Sequence, residues 1–258
     1  CEILDRKVAG KMLFCLVLLL CFSGIVAYNP GRSWRNSYAF AALKNDGSVI
    51  AWGDSSYGGT APNGLTNVAA IYSTSRDFAA LKDNGTVIAW GGSESPAPSG
   101  LTNVATIYST GTTFAALKND GTVIAWGDYR YGGTAPSGLT NVATIYSTST
   151  AFAALKNDGT VIAWGDAGDG GIAPNGLTNV ATIYSTDKAF AALKIDGMVI
   201  AWGDYRYGGK APNGLTNVVT IYSNDAAFAA LKNDGTVIAW GQSSNGGTAP
   251  NGLDDVRV

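Results

Sequence analysis

The sequence predicts an all-β fold, a β-propeller of six three-stranded antiparallel blades, and three observations carry that prediction. Ala-Trp-Gly recurs at Trp52, Trp90, Trp126, Trp164, Trp202 and Trp240, at spacings of 38, 36, 38, 38 and 38 residues. Repetition at this period marks a propeller, a solenoid or an array. Each unit holds three short runs rich in β-branched and aromatic residues, and no helical period follows residue 28. Glycine supplies 34 of 258 residues while charged side chains make up 14%, a balance that suits turns and buried strands rather than a helical bundle.

The elements follow in order. Residues 12–28, MLFCLVLLLCFSGIVAY, are the one long apolar run. The stretch from Met12 to Phe22 has the length of a signal-peptide core, and small residues ending at Ala27 follow it. A single uncleaved membrane anchor is the competing expectation. Residues 1–27 are accordingly read as a leader, with Met12 a candidate start, 28–37 as a linker, and 38–258 as the propeller. Cys1, Cys15 and Cys21 all lie in the leader. A chain beginning near Tyr28 has neither Cys nor His, and carries 14 basic and 17 acidic residues, a net charge of −3. Export is therefore expected without disulfides, and no basic surface for nucleic acid is present.

One unit shows how a blade is made. NVATIYST (141–148), AFAALK (151–156) and TVIAWG (160–165) are the three strands. Asn-Asp-Gly between the second and third is a tight hairpin turn, with Gly supplying the left-handed residue. That glycine is kept as Gly47, Gly85, Gly121, Gly159, Gly197 and Gly235. The six tryptophans end apolar strands, which predicts packing between blades. Upstream of Phe40 the expected first strand is replaced by NPGRSWRNSYA, whereas NGLDDVRV (251–258) repeats the opening of a unit. Closure at six blades is expected, with Leu253–Val258 completing the sheet of Phe40–Gly53 and protecting both edges. Seven blades are expected if the natural chain continues.

The string ALKNDGTVIAWGD, followed by YGG, PNGLTNV and IYS, resembles the repeats of the regulator of chromosome condensation superfamily over residues 38–258. The short unit is similar to the three-stranded blades of the propeller-type β-lactamase inhibitory protein. A His expected early in the second strand is absent here. The resemblance implies a propeller that binds; its members include nucleotide-exchange factors, enzyme inhibitors and scaffolds, so it does not select one activity.

Within a blade, the turn after IYS and the segment after Trp-Gly share one rim, called the top. These two segments are where the copies diverge. After Trp-Gly the chain reads DSSY, GSES, DYRY, DAGD, DYRY and QSSN. Loops on a rigid scaffold are the usual seat of recognition. The candidate partner-binding residues are Arg76, Asp77, Glu94, Tyr129, Arg130, Asp187, Lys188, Tyr205, Arg206 and Asp225, with Tyr129, Arg130, Tyr205 and Arg206 foremost. Drift at exposed loop tips is the bland alternative. Tyr131 and Tyr207 share a slot with Tyr57, which assigns them to packing.

Catalysis is not expected. Without His or Cys past the leader, the usual triads, thiol nucleophiles and His-based zinc sites lack their residues. Asp46, Asp120, Asp158, Asp196 and Asp234 sit in hairpin turns, a turn role first. A glycosidase would need a pair of convergent acids. GDAGDGG (165–171) suggests a calcium loop but lacks the alternating acids, and Asn84-Gly85-Thr86 is a glycosylation triplet on the opposite, bottom face. The reading is a secreted or surface-exposed, monomeric, cofactor-free propeller that binds a protein or glycan through its top rim, touching a membrane only through an uncleaved leader. An intracellular scaffold or nucleotide-exchange regulator of a small GTPase is the alternative.

Overall fold

The repeated Val-Ile-Ala-Trp-Gly run has the β-branched and aromatic residues that a covered sheet accommodates, and it forms the last strand of every blade. The computed structural model describes residues 34–92 and 96–256. Blade one holds β1 (Ala39–Leu43) and β2 (Val49–Gly53). Blade two holds β3 (Val68–Ser73), β4 (Asp77–Lys82) and β5 (Val87–Gly91), and blade three β6 (Val104–Ser109), β7 (Thr113–Lys118) and β8 (Val123–Gly127). Blades four and five comprise β9 (Val142–Ser147), β10 (Ala151–Lys156), β11 (Val161–Gly165), then β12 (Val180–Ser185), β13 (Ala189–Lys194), β14 (Val199–Gly203). Blade six is β15 (Val218–Ser223), β16 (Ala227–Lys232) and β17 (Val237–Gly241). Among the described residues these make five three-stranded antiparallel sheets and one two-stranded sheet, β1–β2.

Each hairpin turns as its sequence predicts. All six turn glycines have φ between 75° and 82°, where a side chain would be strained. The preceding Asp organises the turn: Asp158 Oδ1 accepts from the Thr160 amide and hydroxyl. Asn84 does the same for Thr86 in blade two. The sequence did not foretell a bulge near the start of each first strand, such as the register shift between Val180 and Thr182. Nor did it foretell the left-handed Asn before each of these strands, Asn67, Asn103, Asn141, Asn179 and Asn217, at φ of 56–61°.

The core is shared between blades. In the junction of blades three and four, Ala115, Leu117 and Val123 face Phe152, Ala154 and Trp164. Burying one such Phe contributes about 1.5–3 kcal/mol. In four of the five junctions the tryptophan also donates a hydrogen bond, Trp126 Nε1 being buried without one: Trp164 Nε1 donates to Gly132 O at 3.0 Å and Trp202 Nε1 to Gly170 O at 2.9 Å. Trp90 and Trp240 reach Gly58 O and Gly208 O in the same manner. The assignment of these tryptophans to inter-blade packing fits this geometry, except for Trp52, which stands exposed.

Closure at blade one differs from expectation. β1 pairs only with β2 among the described residues. Residues 251–256 instead stay on blade six: Val256 N donates to Gly235 O and Val237 N to Leu253 O. This repeats the bond that starts every unit, as from Val218 N to Gly197 O. Asp255 at φ 54° occupies the left-handed Asn slot. The preceding hairpin thus binds this segment as it binds the opening of every unit, and among the described residues the segment does not pair with β1. In place of a first strand, blade one is steadied by blade two, with Ser73 Oγ donating to Trp34 O and Ser37 N to Ser75 O. The leader lies outside the described residues.

Candidate functional site

The top rim forms because two polar devices tie its loops together. Within a blade, the residue after Ser of IYS reaches the segment after Trp-Gly: Thr186 Oγ1 donates to Tyr207 O at 2.9 Å and Thr148 Oγ1 to Asp169 O at 3.0 Å. Asn36 and Asn224 make the equivalent contact to Tyr57 O and Asn245 O. Between blades, a backbone row links the turns. Ser75 N donates to Gly111 O, Gly111 N to Ser149 O, Ser149 N to Asp187 O and Asp187 N to Asp225 O, at 2.7–2.9 Å. The two variable segments are therefore neighbours in blades one, four, five and six, and the five turns from Ser75 to Asp225 form one scaffold.

Tyr-Arg-Tyr occupies a single 3-10 turn in blade three (Tyr129–Tyr131) and in blade five (Tyr205–Tyr207). Each turn starts on an extended Asp whose carboxylate accepts the Arg amide, a side-chain cap. The same carboxylate then takes the guanidinium. Arg130 Nε and Nη2 donate to Asp128 at 3.0 and 2.6 Å. Arg206 holds Asp204 at 3.2 and 2.7 Å. The arginine holds each aspartate below the usual carboxylate range and is itself pushed up. This fork is charge-assisted and bidentate.

The first Tyr of each triplet points outward, Tyr129 77% and Tyr205 74% exposed. The second is half-buried. Arg130 lies 5.3 Å over the Tyr131 ring, and Lys188 lies 5.7 Å over Tyr207, within the range of a cation–π contact. Tyr57 stacks on Tyr38 at 4.4 Å beneath Arg76. The structure thus divides the triplet into a presented ring, a folded-back cation and a packed ring.

The other rim candidates fall into different settings. Arg76 is exposed. Asp77 is buried in β4 and its Oδ2 accepts from Thr74 Oγ1, which removes it from the accessible rim. Glu94 lies outside the described residues. Asp187 and Asp225 adjoin in the backbone row, and Lys188 pairs with Asp169 of the neighbouring blade at 3.5 Å. Blade five therefore gathers Asp187, Lys188, Tyr205 and Arg206, while Tyr129 and Arg130 stand two blades away. In GDAGDGG the acids are committed to the protein: Asp166 accepts from the Gly168 amide, and Asp169 accepts from Thr150 Oγ1 besides pairing with Lys188. Among the described residues no group of three or more His, Cys, Asp or Glu could hold a metal ion.

Sequence reasoning missed Asp128 and Asp204. An Asp two positions before an Arg at the start of a Gly-bounded turn was the available signal, because that spacing suits a cap that also accepts the Arg side chain.

The fold defines a class, the repeat β-propeller. No family model and no curated protein matches the chain. Among solved structures it is similar to the CRINKLY WD40 ectodomain of the Arabidopsis thaliana receptor kinase ACR4. That match has a TM-score of 0.50 and 18% identity, covering 85% of this chain and 83% of that one. Prp20p from Saccharomyces cerevisiae matches with a TM-score of 0.49 and 18% identity, covering 87% and 75%. The Physcomitrella patens receptor kinase CR4 ectodomain matches at 0.49 and 19%, covering 80% of this chain, which spans 60% of that ectodomain. At these identities the likeness shows the fold alone, a β-propeller.

Proposed function

We propose that this protein is a non-catalytic binding propeller, secreted or exposed at the cell surface, that captures a protein or glycan with its top rim. The observation that carries the reading is the pair of outward rings, Tyr129 and Tyr205, each held on a turn locked by its own Asp–Arg fork. Tyr offers a large amphipathic contact at low cost in conformational entropy, and it is enriched where proteins meet partners. Neither ring packs in the core, so the fold has no use for them. The apolar leader and the lack of His and Cys beyond it support export and the absence of a nucleophile. Similarity of fold to a receptor-kinase ectodomain supports a role in binding outside the cell.

The test is capture of extracellular proteins and a glycan array by the wild type and by Tyr129→Ala/Tyr205→Ala. The double variant should lose capture while its melting temperature stays put, because both rings are exposed. Equal loss of capture and stability would make the rings structural, and unchanged capture would remove them from the site.

A further inference from the structure

Asn-Gly is the step at which a chain most readily attacks itself, because glycine has no side chain to hinder approach to its amide nitrogen. It begins here at Asn63, Asn84, Asn175, Asn213, Asn245 and Asn251, and the fold sorts these copies into two settings. In the first, both reacting groups are held. At Asn84, in the hairpin of blade two, the Gly85 amide donates to Lys82 O at 2.9 Å. Asn84 Oδ1 accepts from the Thr86 amide and hydroxyl at 3.1 and 2.7 Å. A Cβ at Gly85 would lie 3.2 Å from Val104 N, so the neighbouring strand crowds the step as well. The Gly246 amide is likewise engaged, with Ser243 O at 3.2 Å.

In the second setting, Pro-Asn-Gly-Leu forms an open turn. Leu177 N donates to Pro174 O and Leu215 N to Pro212 O, each at 3.3 Å, across exposed Asn175-Gly176 and Asn213-Gly214. Those closing bonds use neither the Asn side chain nor the Gly amide. Among the described residues the amides of Gly64, Gly176 and Gly214 reach no acceptor, and the side chains of Asn63, Asn175 and Asn213 reach no partner. Apart from chain neighbours, no atom lies within 4 Å of a Cβ built on any of these three glycines. The turn does not depend on asparagine, since Pro98-Ser99-Gly100-Leu101 and Pro136-Ser137-Gly138-Leu139 close with the same 3.3 Å bond.

We infer that Asn175 and Asn213, with Asn63 in the same setting, are sites of self-modification by deamidation, and that the hairpin protects Asn84. The Gly nitrogen gives its proton to solvent base and attacks Cγ of the preceding Asn. A C–N bond forms, ammonia leaves, and a succinimide ring results. Water then adds to either carbonyl of the ring and breaks the C–N bond there. One opening gives Asp; the other gives isoaspartate, with the backbone running through the former side chain. Water is the only co-reactant. Each event adds a negative charge on the hairpin side of the blades, next to Leu177 and Leu215, whose carbonyls accept from Val161 N and Val199 N. That side lies opposite the top rim, so the inference does not depend on what the rim binds.

The experiment incubates the full chain at neutral and mildly alkaline pH, folded and in urea. Peptide mass spectrometry that separates Asn, Asp and isoaspartate follows each Asn-Gly step. In the folded chain Asn175 and Asn213 should convert about tenfold or more faster than Asn84, whose reaction must first break at least one hydrogen bond. Their rates should rise with pH, since the attacking nitrogen must lose a proton. Urea should bring the three sites together. Asn175→Ser/Asn213→Ser should remove those acidic forms and keep the unfolding midpoint, as Ser99 and Ser137 already occupy this turn. Asn84 converting as fast as Asn175 in the folded chain overturns the inference. So does a folded chain in which Asn175 and Asn213 stay intact while urea releases them. A difference that persists in urea overturns it too, by assigning the rates to local sequence and not to the fold.

Discussion

Replacing Trp202 by Phe should destabilise this protein far more than replacing Trp52 by Phe, although the two occupy the same position of the repeat. Trp202 is buried and its Nε1 donates to Gly170 O at 2.9 Å. Phe removes that donor and leaves a carbonyl in a covered junction without it, costing about 1–3 kcal/mol. The smaller ring also leaves a gap, adding about 1 kcal/mol. The sum, about 2–4 kcal/mol, lowers the melting temperature by about 5–15 °C for a domain of this size. Trp52 is half in solvent and stacks only on Phe40, so its loss belongs with surface substitutions, within about 0.5 kcal/mol. Thermal and urea unfolding of both variants provide the comparison. Equal losses would refute the claim that the junction, and not the blade's own sheet, gives the tryptophan its value.

Other outcomes follow from the same geometry. Gly170→Ala should cost more stability than Gly246→Ala, since both have positive φ but only the Gly170 Cβ would strike a Phe ring, at 2.7 Å; unfolding midpoints decide it. Asp204→Ala removes the cap and the Arg206 fork, and should cost about 1 kcal/mol while speeding amide exchange in residues 205–207. Asp46 and Asp234 are lowered from 3.8 to about 2, first by the hydroxyls of Ser48 and Thr236. A carboxylate with a lowered folded pKa favours folding while ionised, so its contribution is complete above about pH 4 and is lost as pH falls through about 2. Ser48→Ala should return Asp46 toward its ordinary value, seen in a carboxyl NMR titration.

What the sequence made legible was whatever one repeat determines by itself. The Asn-Asp-Gly hairpin, the strand ending in Trp-Gly and the adjacency of the two variable segments follow from spacing within 38 residues. The outward Tyr129 and Tyr205 were found because they break the pattern, and Tyr131 and Tyr207 were assigned to packing because Tyr57 shares their slot. Arg130 and Arg206 were read as facing a partner, yet each folds back on a capping Asp two residues earlier; composition alone does not reveal where a long side chain turns. Asp77 looked like a loop acid but lies at the start of β4, where Thr74 satisfies it. Closure was the least legible feature. It depends on the small rotation between neighbouring blades summed around the ring, and no residue signals that angle.

The copies show how a repeated unit can acquire distinct surfaces without changing its core. Phe and Trp stack at 5.1–5.5 Å in all six blades, whether the pair is covered or open. The stack is therefore set within the blade, and its burial is decided by the neighbour. The same sequence element acts as core in five blades and as surface in the first. The rim varies by the opposite route, since its backbone row persists, as does the Asp cap of blades one, three, four and five, while Ser, Ala-Gly or Tyr-Arg is exchanged on top. Substitutions there leave inter-blade packing untouched, which is why a Tyr in two of six copies costs the fold nothing and can be spent on recognition. Packing against a neighbour makes the core, and local substitution makes the rim. Moving Tyr-Arg into the Ser55-Ser56 slot of blade one, behind its own capping Asp54, should consequently present a third outward ring and leave the unfolding midpoint unchanged.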